Sequence, residues 1–411
     1  MSTRRIQSWL AIAVVLGLGL VLAAVVGLFT FMSLTATPIH PSAADAPSVA
    51  QSAPSPTWSD AVEQARQIAR ASLAEQNLPG LSVAVGVDGD LAWAEGFGWA
   101  DLENRVKVSP HTRFLIGTAS TVLTSAAAGL LIEQGTLKLD AEIQTYVPDF
   151  PKKEWPVTLR QVMGHTAGIR DDAGDEEPLS TESGCERPID GLTRFADSPL
   201  RFEPGTQYRY SSYGWILVTA AVEAAAQEPF FRFMRTAIFA PLGMADTMGD
   251  TPSDPMPDRA IFYFPRFAAD PRYGPQEPRV MDYSCFGGSS AFVSTPSDLV
   301  RFGMAINGGK LLKPETVQLM QTPLRLRSGD ETGYGLGWDL ESATISGQHA
   351  RVVGHDGEMM GGMVSSLMTF PDRGIVVSVI SNTAYAQTFE IGSKIAQAFA
   401  DRAGNRPVVS P

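Results

Sequence analysis

Hydrophobic positions along this chain fall into three regimes. From Trp9 to Phe31 the sequence carries no charge and only Thr30 interrupts its apolar run, with Arg4 and Arg5 just before it. A bilayer core needs about 20 apolar residues, and the apolar region of a cleaved secretory signal is shorter, so an uncleaved transmembrane anchor is expected over 9–31. The basic residues hold 1–8 in the cytoplasm and place everything after the span outside, in a periplasmic or extracellular space. Residues 35–57 change to Pro, Ala and Ser, a composition with little to bury, and read as an extended linker. The third regime, 58–403, mixes helical and strand patterns without a second linker and reads as one globular domain, followed by a loose tail at 404–411.

Within that domain, Val62, Ala65, Ile68, Ala69 and Leu73 recur at helical spacing after a capping Ser59 or Asp60, and Pro79-Gly80 stops the helix. Leu81, Val83, Val85 and Val87 alternate with small residues up to Asp88-Gly89, a turn that sends Leu91-Ala92-Trp93 back as a hairpin. An apolar, small-residue stretch from Thr118 to Glu133, ended by Gly135, predicts a buried helix. Thr295-Pro296-Ser297-Asp298 starts another, with a capping hydroxyl and proline at the first helical position. Val364–Phe370 and Gly374–Ser381 form two strands around a turn, and a last helix runs from about Thr388 to Arg402. This order predicts an α/β fold of the α+β type. It has a central, mostly antiparallel sheet flanked by helices, a helical subdomain inserted, and one transmembrane helix ahead of it.

Composition removes several classes of function. With 32 Lys+Arg against 44 Asp+Glu, a net charge of −12, the chain has no basic surplus to hold nucleic acid. Two cysteines cannot make a disulfide framework or a four-thiolate zinc site, and the five histidines form no H-x-x-x-H pair.

Several strings then fall in a familiar order: Pro79-Gly80-Leu81-Ser82-Val83, Gly96-Phe97-Gly98-Trp99, Gly135-Thr136-Leu137-Lys138-Leu139-Asp140, His165-Thr166-Ala167-Gly168, Tyr210-Ser211-Ser212-Tyr213-Gly214, Tyr334-Gly335-Leu336-Gly337-Trp338 and Gly354-His355-Asp356-Gly357. Over roughly 58–400 the chain resembles the serine beta-lactamase and penicillin-binding protein superfamily. It is most similar to the class C-like and esterase branch and the mitochondrial beta-lactamase-like proteins. The resemblance implies a beta-lactamase/transpeptidase-like fold, acyl transfer without a cofactor or metal, and a small-molecule or peptide ligand, including peptidoglycan-derived ones.

That reaction needs a hydroxyl nucleophile at a helix start, a base for its proton and donors for the oxyanion. The family's Ser-x-x-Lys places both side chains on one helix face. Aligned through Phe114-Leu115-Ile116-Gly117, the serine position is Thr118 and the lysine position is Thr121. A threonine nucleophile is crowded by its methyl group, and a threonine at 121 carries no charge. Ser120 lies about 200° around the helix from Thr118 and does not substitute for it.

The family's Tyr-x-Asn maps to Tyr210 as general base, with Ser212 in place of the amide that orients substrate. A phenol ionises near pH 10, so Tyr210 needs a neighbouring cation, and the lysine that would supply it is missing. The third motif maps to His355, Asp356 and Gly357. Here Gly357 allows close approach, the N–H groups of Glu358 and Thr118 form the oxyanion hole, and His355 either donates to a substrate carboxylate or assists Tyr210. His165 is expected to be structural.

The acid-rich insertion Asp171–Asp190 lacks the spacing of a calcium loop and is expected to be a solvated rim of the cleft. Cys185, within it, and Cys285 are candidates for one bridge, left open by the sequence. Two functions survive. One is a membrane-tethered family member with weak or no acyl-transfer activity. The other is an active hydrolase of an ester, amide, peptide or beta-lactam that uses Thr118 or an unrecognised nucleophile. Nothing in the sequence sets the oligomeric state.

Overall fold

The computed structural model describes residues 3–171, 184–185, 187–250, 256–267, 269–276, 282–359 and 363–404. Most of the acid-rich insertion (172–183 and 186) and the end of the expected tail (405–411) lie outside the described residues. The central sheet has eight strands, seven of them in one path, β1 (Ser48–Ala50), β2 (Gly80–Val87), β3 (Asp90–Asp101), β4 (Asp339–Ile345), β5 (Gln348–Met359), β6 (Met363–Phe370) and β7 (Ile375–Ser381), and the eighth, Val106–Lys107, pairs with β3 off that path. Their order in space is β1-β3-β2-β7-β6-β5-β4, and every neighbouring pair is antiparallel. The helices that concern the site are α1 (Thr3–Thr35), α2 (Ser59–Glu75), α3 (Ser120–Glu133), α4 (Ser212–Ala226), α5 (Pro296–Asn307) and α6 (Thr388–Gly404).

Strand periodicity sends alternate side chains to opposite faces, and both faces are covered. Leu81, Val83 and Val85 of β2 and Ile375, Val377 and Val379 of β7 pack into one core with Val62, Ala65, Leu73, Ile395 and Phe399 of α2 and α6. Their neighbours Ala84, Val376 and Ile380 face the larger core, which holds α3, α4 and α5. Helix α5 lies so close to the sheet that a Cβ at Gly86 would fall 2.4 Å from Met304 Sδ and 2.7 Å from Val300 Cγ1. The expected mixed fold with its antiparallel sheet is therefore present. The hairpin and the two final strands sit within a residue of their predicted bounds. Helix α2 differs at its start, where Trp58 precedes the first turn and neither Ser59 nor Asp60 caps it by side chain.

Helix α1 contains a stretch, Ile12–Thr35, that is long and apolar enough to cross a membrane. The segment after it departs from the expected extended linker. Asn77 accepts from the Ile39 N–H (2.7 Å) and donates to the Thr37 carbonyl, while Arg70 donates to the Ala46 carbonyl (2.6 Å) and the Ser48 hydroxyl (2.8 Å). Strand β1 then adds to the sheet against β3. Residues 37–50 are thus fastened to the domain by side chains from α2 and the turn that follows it.

Cys185 and Cys285 are joined in a disulfide across 100 residues of sequence. Closing a loop of that length restricts the unfolded chain by up to about 4–5 kcal/mol. The double variant Cys185→Ser/Cys285→Ser is accordingly expected to lower the midpoint of urea unfolding. An unchanged midpoint with an unchanged slope would show that the bridge contributes nothing.

Candidate active site

The predicted nucleophile stands where the chain turns into α3. After the short strand Phe114–Leu115, the residues Gly117–Ala119 make one tight 3-10 turn, entered by Gly117 at φ +57°. Thr118 is partly exposed at its apex, and its hydroxyl donates to the backbone carbonyl of Asp356 at 3.1 Å. Strand β5 lies directly against this turn. A Cβ at Gly357 would fall 2.0 Å from Ile116 O, 2.5 Å from Ser365 Oγ and 2.9 Å from Ala119 N. Only glycine permits this approach of strand and turn. β4 pairs with β5 only as far as Gly354, so among the described residues His355 to Glu358 have no strand beyond them on that side. This part of β5 is the expected edge.

Thr121 lies on the same side of α3 but is fully buried, and its hydroxyl makes only a long contact, 3.5 Å, to the Ser289 carbonyl. Ser120 is buried too and accepts from the Phe292 N–H, so it takes no part in the cleft. Ser212 is the first residue of α4. Its N–H donates to the buried Asp171 carboxylate (2.9 Å) at the helix's positive end, and its carbonyl accepts from Ser289.

Tyr210 precedes α4, and its hydroxyl is buried even though the residue as a whole is partly exposed. The phenol is within electrostatic reach of the Thr118 side chain but makes no well-formed hydrogen bond. Its ring packs on His165 at 4.2 Å between centroids and stands 6.2 Å from His355. His355 is not free to assist it. The His355 Nε2 pairs with the Tyr334 hydroxyl at 2.9 Å and Nδ1 lies 2.5 Å from the Asp356 carbonyl, which fits Nδ1–H as donor and Nε2 as acceptor. The imidazole expected to serve substrate or Tyr210 is instead held within the protein, and only its 6.2 Å neighbourhood with the phenol remains.

Electrostatics act against proton transfer here. Burial pushes the Tyr210 phenol far above its ordinary value, and the carboxylates of Asp339 and Asp171 add to the shift. Among the described residues, no lysine or arginine stands among the main influences on this phenol. Tyr334 is pushed up by burial in the same way. His165, 3 % exposed, is held neutral because burial, reinforced by His355, lowers its pKa well below 6.5. The result is a ring cluster of Tyr210, His165, Tyr334 and His355 in which burial and nearby carboxylates oppose ionisation of the Tyr210 phenol.

The Beta-lactamase family model matches residues 65–401, which span the fold and every one of these positions. The chain belongs to the beta-lactamase family. Among similar proteins, the serine beta-lactamase-like protein LACTB, mitochondrial, of Mus musculus is 28 % identical over 453 residues, covering 83 % of this chain and 81 % of that one. Penicillin-binding protein 4 of Amycolatopsis lactamdurans is 28 % identical over 338 residues, covering 77 % and 84 %. In fold, the chain resembles the D-amino acid amidase from Ochrobactrum anthropi SV3 with a TM-score of 0.70, 24 % identity and coverage of 83 % and 99 %. It also resembles the octameric penicillin-binding protein homologue from Pyrococcus abyssi, with a TM-score of 0.66, 22 % identity and coverage of 82 % and 77 %.

Two members of this beta-lactamase-family cleft were not singled out as site residues by sequence. Tyr334 occupies the hydrogen bond that fixes His355, and its only signal was its place in the Tyr334-to-Trp338 string. His165 adopts φ +57° and accepts from the Ser211 N–H through Nδ1 at 3.0 Å, which positions the Tyr210 loop. Its role is structural, as expected, but it is exercised inside the site.

Because His165 is neutral when folded and protonates near 6.5 when unfolded, its contribution to stability is present above pH 6.5 and is lost as pH falls below it. The loss should run at about 1.4 kcal/mol per pH unit until the folded-state pKa is reached. In His165→Asn, which tolerates the left-handed backbone and retains an acceptor for Ser211, denaturant unfolding between pH 7 and 5 should show a shallower decline. An identical pH slope in parent and variant would rule His165 out as the source.

Proposed function

We propose that this chain is a membrane-anchored, extracytoplasmic member of the beta-lactamase family whose cleft binds a small acyl compound or peptide, peptidoglycan-derived ligands included, with acyl transfer weak or absent. The observation that carries the reading is the buried Tyr210 hydroxyl, its pKa raised by burial and by the Asp339 and Asp171 carboxylates, combined with Thr118 and Thr121 at the Ser-x-x-Lys positions. At neutral pH an ordinary phenol is only about 0.1 % ionised, and burial lowers that further. The Thr118 hydroxyl directs its proton to a backbone carbonyl, which cannot accept it. Nucleophile and base act as a unit, so the two replacements together remove the chemical step. An extracytoplasmic location is supported by the Arg4-Arg5 flank of α1 and by the disulfide, which persists in oxidising compartments.

One observation favours the second reading, an active hydrolase of an ester, amide, peptide or beta-lactam. Thr118 keeps a partly exposed hydroxyl on a tight turn beside the edge of β5. The two readings separate in intact-mass spectrometry after exposure to a fluorophosphonate and to a beta-lactam. No adduct is expected, and a stoichiometric one on Thr118 would establish the hydrolase. Conversely, Thr118→Ser/Thr121→Lys restores the missing groups and should raise p-nitrophenyl ester hydrolysis by about 10²-fold, the usual effect of a positioned base. A folded double variant no faster than the parent would mean that more than these two side chains has been lost.

A further inference from the structure

The segment between membrane span and domain is bound rather than loose, and this fixes what faces the bilayer. The apolar run Trp9–Phe31 covers about 34 Å at 1.5 Å per residue, enough for a hydrocarbon core of about 30 Å. Thr35, the last residue of α1, lies four residues further, about 6 Å beyond Phe31 and therefore in the headgroup layer. At that level the helix already touches the domain. Arg266 donates to the Thr35 hydroxyl (3.0 Å) and carbonyl (3.3 Å), and Met32, one turn deeper, is only 2 % exposed. The Asn77 amide binds Thr37 and Ile39 on one side and the Arg272 carbonyl on the other, so the joint is braced from two directions.

Arg266 and Arg272 belong to a small hairpin, Phe264–Pro265 paired with Pro275–Gln276. Around it lies a surface suited to a lipid interface. Tyr385 is 42 % exposed and packs edge-on against Phe264 at 5.7 Å, Ile261 is 43 % exposed, and Arg266 stands over Phe267 at 5.0 Å. Aromatic rings and snorkelling arginines are the groups that settle at the headgroup boundary. Arg272 is paired with Asp270 at 2.6 Å, so this face does not depend on anionic lipid for its attraction.

We propose that the domain is seated on the outer headgroup layer of the bilayer that α1 spans, through Ile261, the 264–276 hairpin and Tyr385, in one fixed orientation. The proposal rests on α1 being a retained anchor. It also places the cleft. The hairpin attaches to the end of β7 through Tyr263, whose N–H donates to the Asn382 carbonyl. Gly357 lies at that same end of the sheet, in register through Ser365 with Ile380. Two strand spacings separate them, about 10 Å. The Thr118 cleft therefore belongs to the membrane-proximal end of the domain and meets ligands that lie at, or are attached to, the bilayer surface.

The test uses the full chain in phosphatidylcholine nanodiscs with single introduced cysteines, the native pair being bridged. A fluorophore is attached at Leu18→Cys, Arg272→Cys, Tyr385→Cys or Asp90→Cys. The last is exposed at the start of β3, at the far end of the sheet, roughly 23 Å away. Lipids carrying a nitroxide on the headgroup should quench the probes at 272 and 385 several-fold more than the probe at 90, and nitroxides on the acyl chain should quench the probe at 18. Quenching at 18 with 272 and 385 no different from 90 would leave the anchor standing and overturn the seat. No quenching at 18 would remove the anchor and the seat with it.

Discussion

At Gly357 the strand β5 and the turn before α3 meet with no room for a side chain, and an added Cβ would strike Ile116 O, Ser365 Oγ and Ala119 N. This contact joins the sheet to the helical layer at the point where the cleft must form. It sets Thr118 against Asp356, where β4 has stopped pairing at Gly354 and His355 to Glu358 are held by β6 alone among the described strands. The apolar cores on both faces of the sheet hold the two elements in this register. The framework of an acyl-transfer site therefore follows from packing alone and does not need the chemistry to be present.

The chemistry is governed by charge, and here the site departs from its framework. Tyr210 is buried among rings, with carboxylates rather than an ammonium acting on it, so its proton is held more firmly than in water. His165 and His355, the two imidazoles in the cluster, are each occupied. One supports the Tyr210 loop as a neutral acceptor, and the other is bonded to Tyr334 and to its own strand. The missing lysine is thus not compensated from elsewhere among the described residues, and the same low-polarity surroundings that would strengthen a catalytic charge instead suppress ionisation.

Fastening residues 37–50 to α2 and to β3 joins helix α1 to the domain through rigid elements. In an extended linker the domain would sample many orientations. Side-chain bonds from Asn77 and Arg70, with β1 added to the sheet, remove that freedom from residues 37–50. Gly357 lies at the end of the sheet where β2 and β6 begin and β7 finishes.

Local signals told truly of local structure. The alternation from Leu81 to Val87 with Asp88-Gly89 specified the hairpin, and Thr295-Pro296 specified the start of α5 through a cap that forms as read. The family motifs placed Thr118, Tyr210 and Gly357 in one cleft, and the replacements at 118 and 121 were legible because they change residue type at a fixed spacing. The binding of residues 37–50 was not legible, since a Pro/Ala/Ser stretch carries no mark of the Asn77 amide and Arg70 guanidinium that capture its backbone. Nor were the partners of His355 or the Cys185–Cys285 bridge, which join residues 21 and 100 positions apart. The sequence by itself determined the elements, the family and the missing amine, because these depend on side-chain type and short spacing. Only the tertiary structure decided which protons are held, which rings stack and how helix α1 meets the domain, because those depend on groups distant in sequence coming together in space.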